Sequence, residues 1–292
     1  MKLNKILLYI NLFFLQAYLI RFKIGPYPTN LQEIFIALQI CAFAYGVFGT
    51  GIFLKTLKNL RKHRIIITLL ILSCLSTLLI TPENNLDYFR HLKFLAFASI
   101  TTFIFLETFQ TAAEKKLALR ITGYGAITFG LFSIIYNILG YNVAPDHRLL
   151  GPLDAAVYLA YYLTPFFIFF TIETLKNPGK KSALLSALIL GILILATQSM
   201  GAIGGSLLII LIYFFKAGEL KIFKKKIAKI TMAAILSIFA VTIFYGKILP
   251  TIQTGYSSLD ERGEIWLTSK KLLEKPKNVL TGIGFGQFQE QY

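Results

Sequence analysis

Long apolar runs, broken by short basic or polar segments, recur along nearly the whole chain. About twenty residues of helix, rising 1.5 Å each, cross the hydrocarbon core of a bilayer. On that measure the pattern predicts about nine spans: Ile6–Ile20, Leu31–Leu54, Ile65–Ile80, Phe94–Gln110, Ile121–Leu139, Ala156–Ile172, Ser182–Thr197, Gly201–Phe215 and Ile230–Leu249. The stretch Ser182–Phe215 is too long for one crossing, so a tight turn is placed at Thr197-Gln-Ser-Met-Gly201. Backbone groups find no water in lipid, and uninterrupted apolar runs satisfy them as helices. The expected fold class is therefore all-α: a polytopic transmembrane helical bundle over residues 1–249, followed at 250–292 by an exterior segment carrying an interfacial helix.

Composition agrees with this reading. The 292 residues are 55% hydrophobic and only 15% charged, well under the roughly 25% charge of a soluble domain. The net charge of +16 invites a nucleic-acid reading, but its distribution along the chain argues against one. Numbering the loops alternately, one side carries Lys2, Lys5, Lys55–Arg64, Lys115, Lys116, Arg120, Lys176, Lys180, Lys181 and Lys216–Lys229. The other side, up to Leu249, carries Arg21, Lys23, Arg90, Lys93, Arg148 and Lys247, fewer by roughly three to one. Positive-inside bias assigns the richer side, with the N-terminus, to the cytoplasm. Its lysines face anionic membrane lipids, and nucleic acid is not an expected partner. The tail after Leu249 is then extracytoplasmic.

Cysteine and histidine add little. Cys41 and Cys74 fall inside spans and read as small packing residues, without disulfide or metal-ligand spacing. His63, His91 and His147 lie in separate loops, so no metal is expected. Lys2 and Lys5 before an apolar run resemble a signal peptide, but no small-x-small cleavage site follows, and the segment reads as an uncleaved first span.

The tail changes the texture of the chain. Ser258-Leu-Asp-Glu261 fits a helix-capping box, although Asp260 is a second candidate for the cap. From there to Pro276, Arg262, Trp266, Ser269 and Leu273 fall on one helical face. Trp266 at headgroup level suits a helix lying along the membrane surface. Arg262 beside it has two readings: a guanidinium that grips a phosphate in bidentate fashion, or a snorkelling anchor. The glycines of Gly282-Ile-Gly284-Phe-Gly286 lack dinucleotide-binding spacing and permit a tight turn or a close approach of backbone to a ligand.

Between spans, the most charged exterior loop runs Asp146-His147-Arg148, then Gly151-Pro-Leu-Asp154. Arg148 is a candidate second phosphate contact, and His147 a weak candidate proton acceptor. Ionisable residues near mid-span, which an ion-coupled transporter needs, are not evident.

On these residues the chain resembles the O-antigen ligase/polymerase family of bacterial integral-membrane glycosyltransferases. The tail reads Arg262, Trp266, Pro276, Gly282-Ile-Gly284-Phe-Gly286-Gln-Phe288, Tyr292 in the order of the family pattern. Arg148-Leu-Leu-Gly151, with Tyr158-Leu159 and Pro165, is similar to the family's exterior R-x-x-G segment. Thr197-Gln-Ser199-Met200-Gly201-Ala202 is similar to its T-x-S-R-G-A turn, except that Met200 stands where the family has an arginine that helps bind the lipid diphosphate.

The resemblance implies a glycosyltransferase of the cytoplasmic (inner) membrane that needs no cofactor and no metal. Its donor would be a polyisoprenyl-diphosphate-linked glycan, and its acceptor a sugar hydroxyl on a glycan or on lipid A core. Arg262, Arg148, Trp266, Gly282, Gly284 and Gly286 would bind substrate, with arginines neutralising the diphosphate leaving group. The family's base is expected on a histidine-bearing loop beyond Tyr292, so this chain is expected to be truncated. The competing expectations are a lipid-linked glycan flippase and an inactive fragment of the ligase family.

Overall fold

The computed structural model describes residues 2–24, 27–49, 68, 86–142, 148–177, 179–216 and 258–274. They are mostly helical: α1 (Lys2–Phe13), a 3-10 turn (Leu15–Leu19), α2 (Leu31–Gly49), α3 (Leu86–Thr108), α4 (Ala112–Ile138), α5 (Ala156–Lys176), α6 (Lys181–Ala196), α7 (Met200–Lys216) and α8 (Ser258–Leu273). By length and composition three of them can cross a membrane, within Leu31–Phe48, Ala112–Ile138 and Ala156–Lys176; four further apolar helices are shorter. Nine spans are therefore not supported by the described residues. Ile65–Ile80 and Ile230–Leu249 lie outside them. The first expected span breaks at Phe13, where α1 gives way to the 3-10 turn.

The segment 21–30, expected on the exterior, departs from an all-helical fold. Strands β1 (Arg21–Ile24) and β2 (Tyr27–Asn30) pair antiparallel, Arg21 opposite Asn30 and Ile24 opposite Tyr27. The Leu31 N–H closes the base of this hairpin on the Ile20 carbonyl at 3.0 Å. Asn30 then starts α2: its Oδ1 accepts the Glu33 N–H at 2.9 Å, while its Nδ2 donates back to the Glu33 carboxylate. That satisfies an orphan donor of the helix terminus.

The described residues gather in two compact units. One draws on Met1–Lys5, Phe35–Gln110 and Gly255–Tyr292, the other on Ile6–Ile34 and Thr111–Thr254. In the first, buried Asn4 donates to Thr108 Oγ1 at 2.8 Å and accepts from Gln39 Nε2, while Gln39 Oε1 is left without a partner. Phe43 meets Phe103 edge to face, with centroids 6.1 Å apart. Cys41 on α2 is an exposed free thiol, which corrects its reading as a packing residue.

The second unit is an up-and-down bundle of α4–α7, whose core runs through Ala126, Phe129, Leu159, Leu163, Phe166, Phe170, Leu190, Leu193 and Ile203. Small residues bring its helices close. A Cβ at Gly123 would sit 2.5 Å from the Phe170 ring, and one at Gly130 would overlap Leu193. Lipid tails are as apolar as leucine, so close backbone approach, not exclusion of water, drives such packing.

Two boundaries bear directly on function. α6 and α7 separate at Thr197–Ser199, so the break expected in Ser182–Phe215 is present. α4 begins at Ala112, well before the expected Ile121, because Thr111 and Glu114 form a reciprocal capping box.

Candidate functional site

In the antiparallel order of α4–α7, the turn 148–155 and the turn 197–199 belong to the same end of the bundle. They touch directly: the Leu149 N–H donates to the Ala196 carbonyl at 3.0 Å. Leu149, Leu153, Ala202 and Ile203 all enter the bundle's core, so both turns are pinned from beneath by apolar side chains.

The Arg148 turn depends on a glycine. Gly151 has φ +63°, a left-handed conformation that L side chains adopt only with strain. It also lies against α4, where a Cβ would overlap Ser133 Oγ and stand 2.5 Å from Ser133 Cβ. Asn142 Nδ2 donates to the Gly151 carbonyl at 3.0 Å and to the Leu153 carbonyl at 2.8 Å, closing the turn from the other side. Arg148 is thereby held half-buried at the rim.

The second turn is tight and polar. Thr197 is fully buried, its hydroxyl donating to the Ile194 carbonyl at 2.6 Å, while the Ser199 N–H donates to Thr197 Oγ1 at 3.3 Å. Gln198 takes a left-handed φ of +51°. Ser199 is 6% exposed, and its hydroxyl has no hydrogen-bond partner in the structure. A buried hydroxyl left unpaired is costly, and the Thr101 and Thr171 hydroxyls are left unpaired in the same way. The Tyr161 hydroxyl lies over Gly201, 3.0 Å from where a Cβ would stand.

These groups are mainly donors. Arg148 and Asp154 belong to one turn and Gln198 and Ser199 to the other, with the Tyr161 hydroxyl beside Gly201. Tyr18, from the 3-10 turn, feels the charges of both Arg21 and Asp154, so the base of the hairpin adjoins the same end. An array of donors at the end of an apolar bundle suits an anion whose remainder is lipid-soluble.

Of the residues singled out in the sequence, Arg148 is placed at this end and Arg262 lies on α8, in the other unit. Trp266, on the same helix, is 72% exposed, with Leu267 and Leu273 also exposed. His147, Gly282, Gly284 and Gly286 lie outside the described residues. Met200 opens α7 beside Ser199 and brings no charge to the turn.

Sequence reasoning passed over Ser199 and Tyr161 as site residues. Only packing shows the first to be buried without a partner and the second to reach Gly201. It also passed over the ion cluster around Glu173, at the opposite end of the bundle. Among the described residues no group of three or more His, Cys, Asp and Glu side chains is placed to hold a metal ion.

No known protein family, no curated protein and no solved structure matches this chain.

Proposed function

We propose that the chain is a multi-pass protein of the bacterial cytoplasmic membrane and a glycosyltransferase of the cell envelope. Its substrate would be a glycan carried on polyisoprenyl diphosphate, and its acceptor a hydroxyl of a glycan or of lipid A core. In this reading the N-terminus is cytoplasmic, the chain makes about nine crossings, and the two turns and α8 face the exterior.

The observation that carries the reading is the hydrogen bond from Leu149 to Ala196. It joins two segments, Arg148-Leu-Leu-Gly151 and Thr197-Gln-Ser-Met-Gly201, that resemble the same family from places far apart in the chain. Around the junction lie hydrogen-bond donors, which is what a diphosphate leaving group requires as negative charge develops on it. With methionine at position 200, the cationic part falls to Arg148 at this end and to Arg262 on α8.

The chemistry is an attack by the acceptor hydroxyl on the anomeric carbon of the donor sugar. The new glycosidic bond forms as the bond to diphosphate breaks. The acceptor proton passes to a base, and the polyisoprenyl diphosphate departs with the electron pair. Arg148 acts on the leaving group, and the family resemblance gives Arg262 a part in donor binding; removal of either should slow transfer while leaving the fold intact.

The test is glycan transfer from a synthetic polyprenyl-diphosphate donor by reconstituted protein, comparing wild type with Arg148→Ala and Arg262→Ala. A loss of about a hundredfold in each is expected, as for removal of one stabilising donor. Full activity in both variants would sink the assignment. Movement of the lipid-linked glycan across the vesicle membrane without glycosidic bond formation would instead establish the flippase reading.

A further inference from the structure

The opposite end of the α4–α7 bundle holds a charged cluster that transfer chemistry does not use. Glu173, near the end of α5, is 3% exposed. Arg120 of α4 grips its carboxylate through Nε, at 3.0 Å from Oε2, and through its terminal nitrogen on Oε1. Lys116, one turn earlier on α4, reaches Oε1 at 3.0 Å, and Lys180, at the start of α6, reaches it at 3.1 Å. Three cations, two from α4 and one from the turn before α6, thus converge on one carboxylate, leaving two positive charges in excess.

The cluster is open on its outer side. The Glu173 side chain is 2% exposed, whereas those of Lys116, Arg120 and Lys180 are 44%, 24% and 37% exposed. Each lysine carries three donors, so each can serve Glu173 and still offer donors outward. Lys115, Lys176 and Lys181 lie in the same end segments of α4, α5 and α6 and add to the charge there. Glu114 is engaged in the cap of α4. The first turn of α6 contributes its positive dipole end, since Lys180 as N-cap makes no capping bond with its side chain.

Beside the charge lies apolar surface. Leu117 and Leu119 on α4 and Leu185 on α6 are 44%, 43% and 59% exposed. The 27 residues of α4 measure about 40 Å, roughly 10 Å more than the hydrocarbon core of a bilayer. Its charged beginning, Glu114 to Arg120, is the part to be left at headgroup depth.

We infer that this end of the bundle is a binding site for an anionic phospholipid. The headgroup phosphate is held by Lys116, Lys180 and the outward edge of Arg120, and the acyl chains run from there past the exposed Leu185 of α6 and Tyr124 of α4. Glu173 sets the spacing of the cations, which without it would repel one another. A nucleic acid or a soluble phosphate matches the charge but not the apolar surface. The inference needs only that the bundle sits in a membrane, and it stands or falls apart from the glycan reading.

The test is native mass spectrometry of the full chain in detergent, titrated with phosphatidylglycerol or phosphatidylcholine. Wild type should bind its first phosphatidylglycerol at least about tenfold more tightly than phosphatidylcholine, since each lysine near a headgroup contributes to anionic-lipid affinity. Lys116→Gln/Lys180→Gln should lose that preference, and Lys116→Arg/Lys180→Arg should keep it. Lys270→Gln/Lys271→Gln, the same charge change on exposed positions of α8, should leave it within about twofold.

Equal binding of the two lipids by wild type, or an unchanged preference in the glutamine pair, would overturn the site. Displacement of the lipid by an equal concentration of glycerol phosphate would show a free-phosphate site instead. If the glutamine pair does not fold, amine acetylation of wild type decides. Phosphatidylglycerol should protect Lys116 and Lys180 more than Lys270 and Lys271, and uniform modification would refute the inference.

Discussion

Replacing Gly151 by alanine tests whether the Arg148 turn is held as described, and its cost separates into two parts. The first is conformational. At φ +63° a β-carbon crowds the backbone, a penalty of roughly 1–2 kcal/mol. The second is steric, because the new Cβ would overlap Ser133 Oγ, sit 2.5 Å from Ser133 Cβ and 3.1 Å from its Cα. Overpacking of this kind costs about 1–3 kcal/mol. Gly140 supplies an internal control: its φ is +80°, yet a Cβ there meets nothing within 4 Å. Gly140→Ala should therefore show the conformational part alone. Ser133→Gly removes the two nearest obstructing atoms and leaves only the backbone of residue 133 nearby. Combined with Gly151→Ala it should recover the steric part, a coupling of about 1–3 kcal/mol, while the conformational part persists. The assay is unfolding in a titration of sodium dodecyl sulfate, followed by far-UV circular dichroism, for wild type, the three single variants and the double variant. Equal costs for Gly151→Ala and Gly140→Ala, with no coupling to Ser133→Gly, would refute the packing of this turn against α4.

Three further outcomes follow from the same structure. Gly125→Ala would drive a Cβ into the Phe13 carbonyl, with the carbonyl carbon 2.9 Å away. Backbone cannot rotate aside as a side chain can, so a loss of about 1–3 kcal/mol is expected in the same titration, against no loss for Gly46→Ala, where the space is open. Asn142→Asp should destabilise more than Asn142→Ala, because the amide donates to two carbonyls and a carboxylate would face them as a second acceptor; each bond is worth about 1 kcal/mol. Thr111→Ala should cost about 0.5–2 kcal/mol through loss of the cap on α4, and Thr111→Ser should restore it; equal stability of the two variants would contradict the capping box.

Local signals explain what the sequence made legible. The break between α6 and α7 follows from the length of one apolar run, and the extent of α8 from the spacing of its apolar residues before Pro276. α4 begins ahead of the span read from Ile121 because hydropathy marks the apolar part of a helix and weighs Glu114, Lys115, Lys116 and Arg120 as loop residues. Thr111-Ala-Ala-Glu114 is nevertheless a readable capping signal. The hairpin 21–30 escaped notice because Pro28 interrupts the β pattern, and its pairing is completed by Leu31 bonding to Ile20 across the base. Arg148 and Gly151 were marked by their spacing, but the reason for the glycine lies in Ser133 on another helix. The Glu173 cluster was beyond reach for the same reason: Arg120 and Glu173 are 53 positions apart, and only the packing of α4 on α5 makes them neighbours.

Helix lengths connect the two ends of the bundle to the proposed chemistry. α6 has 16 residues and α7 has 17, about 24 to 26 Å of helix each. A hydrocarbon core of about 30 Å is longer than either. If α6 and α7 cross the membrane as proposed, with Lys181 and the Glu173 cluster at headgroup level on one face, the Thr197–Ser199 turn would fall short of the opposite face by several ångströms. A polar turn at that depth is tolerated only where protein or a cavity surrounds it, and Thr197 and Ser199 are indeed buried. The turn 148–155 lies level with it, joined by the bond from Leu149 to Ala196, and the unpaired Ser199 hydroxyl is buried at that end. Under the proposed function, a diphosphate on a polyisoprenyl chain would approach this end from the side of the bilayer, with its lipid remaining in lipid.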